Sequence, residues 1–352
     1  MNDYESACLC RSRGYPQLAR VKQRGLEPDG EATVARCYYY PGDEAGVMER
    51  LCNRVLRKPV PNFPRTVVIE TQSGCNGGCV FCSYPQLKDE LPRGRMSDEV
   101  FEKIARECSV QGPGPAHAPV ERFILCLDNE PLLDPKLAAR YALLKQYCPE
   151  SARNLTTNAS LLSIEKVEQL AGTGLINELF LSVNGVSKEV YEQVMALPYE
   201  QVMRNLEALC AWLRRHPEVR QGLRVRINTV RLKQVVPEIP ALRKRWEAEG
   251  FEVHVIGMDS RGDQLDLKTV PDEVLKPNSS CRRLFHTMVF TWAGEAVLCC
   301  VDYKRAVKLG DVRAQGVYEI WNGPWSTLLR KEYLARNFAH LRICATCKVN
   351  SG

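Results

Sequence analysis

A ten-residue loop constrains this chain more than any other feature. Ser73-Gly74-Cys75-Asn76-Gly77-Gly78-Cys79-Val80-Phe81-Cys82 follows closely on an apolar run at residues 66 to 71 (TVVIET), and its cysteines are spaced C-x3-C-x2-C among three glycines. That spacing lets one short loop wrap three corners of an iron-sulfur cubane, because glycine allows the backbone to approach the inorganic sulfides and to take positive φ. Three thiolates leave one iron open to a chelating molecule, whereas an electron-carrying centre is closed by a fourth. A single zinc ion would want a fourth ligand close by. Structural cysteines belong in buried, regular elements and not in a glycine-rich loop.

The surrounding composition supports a metal reading of these thiols. The first thirty residues carry Asp3, Glu5, Arg11, Arg13, Arg20, Lys22 and Arg24 where a signal peptide would be apolar, and no stretch approaches the roughly 20 apolar residues of a membrane span. A cytoplasmic protein is expected, in which the 16 cysteines stay reduced and clustered ones serve as ligands. The balance of 48 basic and 42 acidic side chains, +6, is too mild to imply a nucleic-acid or membrane partner.

Six β-branched runs, at residues 66–71, 121–127, 153–157, 178–183, 223–230 and 251–257, alternate with helix-length stretches at 97–109, 135–148, 163–172, 187–215 and 237–249. Alternation of this kind predicts an α/β fold, a partial (β/α)6 TIM-like barrel over residues 65–276, with chemistry at the C-terminal strand ends. A proline-punctuated extension (1–64) precedes it. A second, small domain (277–352) follows, with a hairpin at 288–299 and a helix at 325–335. There Cys281 and Cys299, seventeen residues apart, and the pair Cys344 and Cys347 offer four thiolates, enough to saturate one further cluster or a tetrahedral zinc. Cys300 is left beside a ligand, and Cys8, Cys10, Cys37 and Cys52 are scattered. Cys108, Cys126, Cys148 and Cys210 are expected in the core.

The motifs resemble those of the radical S-adenosylmethionine (SAM) enzymes. In that superfamily Cys75, Cys79 and Cys82 would hold a [4Fe-4S] cluster, with the aromatic Phe81 just before the third cysteine. Asp128-Asn129-Glu130-Pro131 resembles the Gly-Gly-Glu-Pro motif, which implies that Glu130 meets the SAM amino group. Thr157-Asn158-Ala159 is similar to Thr-Asn-Gly and brings in Asn158; Ser182-Val183-Asn184-Gly185 is similar to Ser-x-Asp-Gly, with Ser182, and more weakly Asn228, at the SAM ribose. The tail resembles SPASM and twitch extensions, implying a second, fully ligated [4Fe-4S] cluster on Cys281, Cys299, Cys344 and Cys347 and an external one-electron reductant such as flavodoxin or ferredoxin.

The resemblance extends to sugar- and aminoglycoside-modifying members in antibiotic biosynthesis, among them the aminocyclitol dehydrogenase of the butirosin route. It implies hydrogen abstraction from a carbinol carbon of a small polar substrate, with the second electron passing to the auxiliary cluster. Two alternatives stand beside it: an epimerase in which Cys300 returns a hydrogen atom, and a peptide-modifying maturase.

Overall fold

The computed structural model describes residues 61–257, 275–277 and 281–350. Of the predicted extension only 61–64 fall within them; Cys8, Cys10, Cys37 and Cys52 lie outside.

All six predicted runs are strands: β1 (Thr66–Ile69), β2 (Arg122–Ile124), β3 (Ala152–Thr157), β4 (Glu178–Ser182), β5 (Arg224–Val230) and β6 (Glu252–Ile256). Each pairs in parallel with the next. Between them run the helices α1 (Tyr84–Leu87), α2 (Asp98–Glu107), α3 (Leu137–Tyr147), α4 (Ile164–Val167), α5 (Lys188–Met195), α6 (Tyr199–Arg215), α7 (Pro217–Gly222) and α8 (Ile239–Glu247). Ser97 starts α2 by accepting the Val100 amide, and Asp98 and Glu99 complement the helix dipole while Phe101, Ile104 and Ala105 face the core. The helix expected at 163–172 is split, α4 passing into a π-turn at Glu168–Gly172.

β2 is shorter than the run that predicts it. Beyond Ile124 the chain leaves the ladder, because Asn129 Oδ1 accepts the Leu127 amide and folds the segment back so that Asn129 pairs with Gly74. The ladder is exchanged for a contact with the cysteine loop.

Strand β7 (Leu275–Pro277) comes next, then α9 (Arg283–His286), β8 (Thr287–Phe290), β9 (Glu295–Val297), β10 (Lys308–Asp311), α10 (Val317–Asn322), α11 (Pro324–Ala335), α12 (Arg342–Thr346) and β11 (Lys348–Asn350). β11 closes antiparallel on β7. The hairpin β8–β9 is no separate sheet: β8 lies parallel against β1, Thr66 opposite Thr287 and Ile69 opposite Phe290. One nine-stranded sheet results, ordered β10-β9-β8-β1-β2-β3-β4-β5-β6. Among the described residues β6 has no strand on its far side, so the barrel is open and partial, as the sequence predicts. The C-terminal segment is also seated on α2: Lys103 donates to Val312 O and Gln315 O at 2.7 and 2.8 Å, and Glu107 accepts the Val317 amide at 2.7 Å. No helix among the described residues is long and apolar enough to cross a membrane.

One buried ion pair braces the helical layer beneath the cysteine loop. Arg140 of α3, 2% exposed, donates to Asp134 at 2.9 Å and to Met96 O at 2.7 Å, and lies over the Phe101 ring of α2. Arg140→Met is expected to strand Asp134 as an unpaired interior charge and to lower unfolding stability by about 3–5 kcal/mol, measured by denaturant titration. Asp134→Asn/Arg140→Met should recover most of that loss.

Candidate active site

The cysteine loop leaves the C-terminal end of β1 and is fastened on three sides by backbone. Gln72 Nε2 donates to Gly74 O and Glu130 O at 3.1 and 3.2 Å, and the Glu130 amide donates to Gly74 O at 2.9 Å. Ser73 and Gly94 exchange hydrogen bonds. On the far side Gly78 and Val80 donate to Met195 O and Val194 O at the end of α5, and Cys79 Sγ stands 3.6 Å from Met195 O. Gly74 takes φ +118°, a turn closed to ordinary side chains.

The three thiols enclose a small hollow. A Cβ added to Gly77 would sit 3.6 Å from Cys79 Sγ and 3.7 Å from Cys75 Sγ, so glycine keeps the space between the two sulfurs clear. Burial pushes the Cys75 thiol up to about 11 and raises Cys79 further, each opposed weakly by a nearby amide. Thiols so buried give up their protons when a metal replaces them. Among the described residues no three His, Cys, Asp or Glu side chains converge as one metal ion requires. Thiolates on a lone zinc stand about 3.8 Å apart, as Zn–S bonds of about 2.3 Å dictate. Three thiols on one glycine-rich loop are the donor set by which an iron-sulfur cluster is held.

Glu130, 2% exposed, is a bracket. Its Oε1 accepts the Leu132 amide at 3.0 Å and the Thr157 hydroxyl at 2.7 Å, and its Oε2 accepts the Asn158 amide at 2.9 Å, while burial raises its carboxyl above the ordinary value. The loops after β2 and β3 are thereby tied together. Asn158 Nδ2 donates to Asn76 Oδ1 at 3.0 Å and Asn76 Nδ2 to Ser160 Oγ at 2.8 Å, so the loop after β3 also grips the cysteine loop. Ala159, where the related motif has glycine, takes the left-handed φ of +62° and is held there by its amide bond to Thr157 Oγ1.

Ser182 and Asn228 are opposite each other on β4 and β5, and His254 of β6 continues the row. All three point to the same side of the sheet. Asn228 Oδ1 is buried without a partner. Asn184 does a different job: it accepts the Val230 amide at 2.6 Å and pins β4 to β5. Phe81 is half-buried against the core.

The C-terminal cysteines also gather. Burial raises Cys299 well above its ordinary value and Cys344 to about 12; Cys300 and Cys281 add to the rise at Cys299, and Cys281 and Cys347 to that at Cys344. The Cys281 amide donates to Tyr333 Oη at 2.8 Å, which anchors the first of them to α11. Cys300 packs against Val68, Val289 and Val297, the small apolar cluster on the inner face of β1, β8 and β9.

Two residues at this seam have no sequence motif to announce them. Glu70, fully buried one step beyond β1, pairs with Arg305 from the loop after Cys300; burial raises its carboxyl, and the guanidinium and the Trp292 amide pull against that rise. The one available signal is an acid at an inward position of the apolar run TVVIET.

Residues 69–211 match the family model of the Radical SAM superfamily, and residues 281–348 that of the SPASM iron-sulfur cluster-binding domain. Two curated relatives are the dual-specificity RNA methyltransferase RlmN of Syntrophotalea carbinolica, 24% identical over 213 residues (60% of this chain, 53% of that protein), and the probable RlmN 3 of Opitutus terrae, 31% identical over 139 residues (37% and 36%). The chain spans about half the length of the first and about a third of the second. Among solved structures it is similar to BtrN in complex with AdoMet and 2-DOIA (17% identity, 81% of this chain and 93% of that one, TM-score 0.51). It is similar too to Streptococcus suis SuiB bound to precursor peptide SuiA (16%, 76% and 67%, TM-score 0.59) and to anSMEcpe with bound AdoMet (15%, 80% and 85%, TM-score 0.57). At these identities the likeness is one of fold. Because the cysteine loop falls inside the first matched span and all four C-terminal thiols inside the second, the chain belongs to the radical SAM superfamily and carries a SPASM domain after its barrel.

Proposed function

We propose that this radical SAM enzyme is a cytoplasmic oxidoreductase that removes hydrogen from a carbinol carbon of a small polar substrate of the sugar or aminocyclitol type. When bound, the cofactors would supply the redox chemistry: SAM, reduced by one electron at the open cluster, would take a hydrogen atom from the carbinol carbon, and the substrate, its hydroxyl proton released to solvent, would pass one electron to a closed second cluster. Two [4Fe-4S] clusters, SAM and an external one-electron reductant are the components of this reading. The observation that carries it is the second cysteine set, Cys281, Cys299, Cys344 and Cys347, inside the SPASM match, with Cys299 just past a hairpin hydrogen-bonded to the strand that feeds the three-thiol loop.

The chain's own residues bind, orient and exclude water. Cys75, Cys79 and Cys82 hold the first cluster. Glu130 receives the SAM amino group, with its carboxylate kept in place by Leu132, Thr157 and Asn158. Ser182 and Asn228 face the ribose from β4 and β5. Phe81 and Asn158 border the loop. The likeness in fold to BtrN, solved with 2-DOIA, supports a small polar substrate.

A second reading, epimerisation, has its own observation. Cys300 packs on the inner face beside Val68, where a thiol would return a hydrogen atom to the substrate. Oxidation is favoured because a closed cluster is an electron acceptor, whereas the thiol also needs an orientation toward the substrate carbon. A peptide substrate, suggested by SuiB with its precursor peptide, is the third.

Replacing Cys75, Cys79 and Cys82 together by Ala is expected to leave about four iron and four sulfide per chain after anaerobic reconstitution and to abolish SAM cleavage. Zinc in their place would remove the auxiliary cluster from the proposal. Glu130→Gln should weaken SAM binding by about 1.5–3 kcal/mol in equilibrium titration with iron content unchanged; an unaltered affinity would confine Glu130 to its bracing role. The substrate is sought by 5'-deoxyadenosine formation against aminocyclitol, sugar-nucleotide and peptide pools. Dehydrogenation gives a product two hydrogens lighter, with no solvent deuterium at the reacting carbon and with most activity kept in Cys300→Ala. An isobaric product carrying one solvent deuterium, lost in Cys300→Ala while 5'-deoxyadenosine still forms, would establish the epimerase.

A further inference from the structure

One carboxylate at the seam collects contacts from both ends of a single segment. Glu70 Oε2 accepts the Trp292 amide at 3.1 Å, and its two oxygens accept Arg305 Nη2 at 3.0 and 2.9 Å. Those donors bracket residues 292–305, the stretch that contains Cys299 and Cys300. Arg305 is 8% exposed and takes the left-handed φ of +52°. Its turn is held by Asp302, whose carboxylate accepts the Ala306 and Val307 amides at 2.9 and 3.0 Å. Nε and Nη1 of Arg305 are buried without a partner, so the guanidinium meets one carboxylate through one nitrogen.

Stability alone does not account for such a pair. Two charges taken out of water regain little more than their desolvation cost, and apolar replacements of similar size are often neutral or better. What the pair does supply is a fixed place and a fixed, internally cancelled charge. Val68, two residues before Glu70 and on the same side of β1, packs against Val289, Val297 and Cys300, so the clasp closes directly over the inner-face cluster. The clasp is joined to the thiols by backbone: the Arg305 amide donates to Asp302 O at 2.9 Å, and the Asp302 amide to Cys299 O at 3.2 Å.

We infer that Glu70 and Arg305 are positioning residues for the C-terminal thiolate centre, holding residues 292–305 against the inner face of the barrel and cancelling each other's charge beside that centre. The inference rests on reading the centre as an iron-sulfur cluster. Reduction of a cluster adds one negative charge, and in a low-dielectric interior an uncovered cation nearby makes that addition easier. Arginine stays charged whatever its surroundings. Removing the carboxylate therefore uncovers a cation, and removing both partners takes that cation away again, with Asp302 still held by the Ala306 and Val307 amides.

The test is potentiometric titration, followed by electron paramagnetic resonance, of the reconstituted full-length protein. The C-terminal signal is identified as the one that survives in Cys75→Ala/Cys79→Ala/Cys82→Ala. Glu70→Gln is expected to shift its midpoint upward with wild-type iron content, and Glu70→Gln/Arg305→Gln to return it to the wild-type value. An unchanged or lowered midpoint in Glu70→Gln, or an upward shift that persists in the double variant, would overturn the inference. Loss of the C-terminal cluster from Glu70→Gln that Glu70→Gln/Arg305→Gln fails to restore would overturn it as well, since the charge cancellation would then have no part in holding the segment. Absence of any second iron-sulfur signal in the wild type would instead defeat the cluster reading, and that outcome is seen before a variant is made.

Discussion

Everything at the site hangs from β1, because it is the strand hydrogen-bonded on one side to the barrel and on the other to the C-terminal hairpin. A strand flanked in this way has no free edge, and its outward residues Val67 and Ile69 are fully buried in the main core. Its end cannot drift. The cysteine loop that leaves it and the carboxylate of Glu70 at its tip inherit that fixity. From this one strand the two cysteine sets, separated by some two hundred residues of chain, acquire a defined relation to each other.

The loop itself is ordered by bonds to its own chain. Its carbonyls and amides are claimed by Gln72, Gly94, Glu130, Val194 and Met195, and its polar side chains Ser73 and Asn76 by Gly94 and by Asn158 and Ser160. Ordering a glycine-rich segment costs about 1–2 kcal/mol per residue in backbone freedom. These bonds offset that cost, so metal binding need not. The thiols, by contrast, gain nothing from burial as acids. Burial raises both Cys75 and Cys79, and thiols of this kind release their protons on binding a metal.

How much of this was legible in the sequence depends on the range of the interaction. The six strands were readable because β-branched runs of the right length fold locally into strands, and the open-loop cysteines because their spacing is itself the geometry. Ser97 and α2 follow the same logic. The short β2 was not, since its end is decided by Asn129 reaching Gly74 from fifty residues away. Nor was the sharing of one sheet by barrel and hairpin: the run at 288–292 reads as a strand, but nothing in it says that its partner is Thr66 to Ile69. The motif singles out Glu130 but says nothing of its bracing of Leu132, Thr157 and Asn158. Arg305 carried no signal at all. Its role exists only once β8 has been laid beside β1.

The same long-range geometry bears on the choice between oxidation and hydrogen return. Both proposed chemistries would begin with a substrate radical, and both would call on residues of one short segment, Cys299 for a closed centre and Cys300 for the thiol. Cys299 and Cys300 lie in the turn beyond β9, where the Asp302 amide donates to Cys299 O at 3.2 Å, and Cys300 packs on the inner cluster of Val68, Val289 and Val297. The segment's position against Glu70 thus governs both candidate acceptors at once. What divides them is chemical: an electron can pass to a closed cluster across packed protein, whereas a hydrogen atom must be handed over at van der Waals contact, so only the thiol reading demands that the substrate carbon touch Cys300.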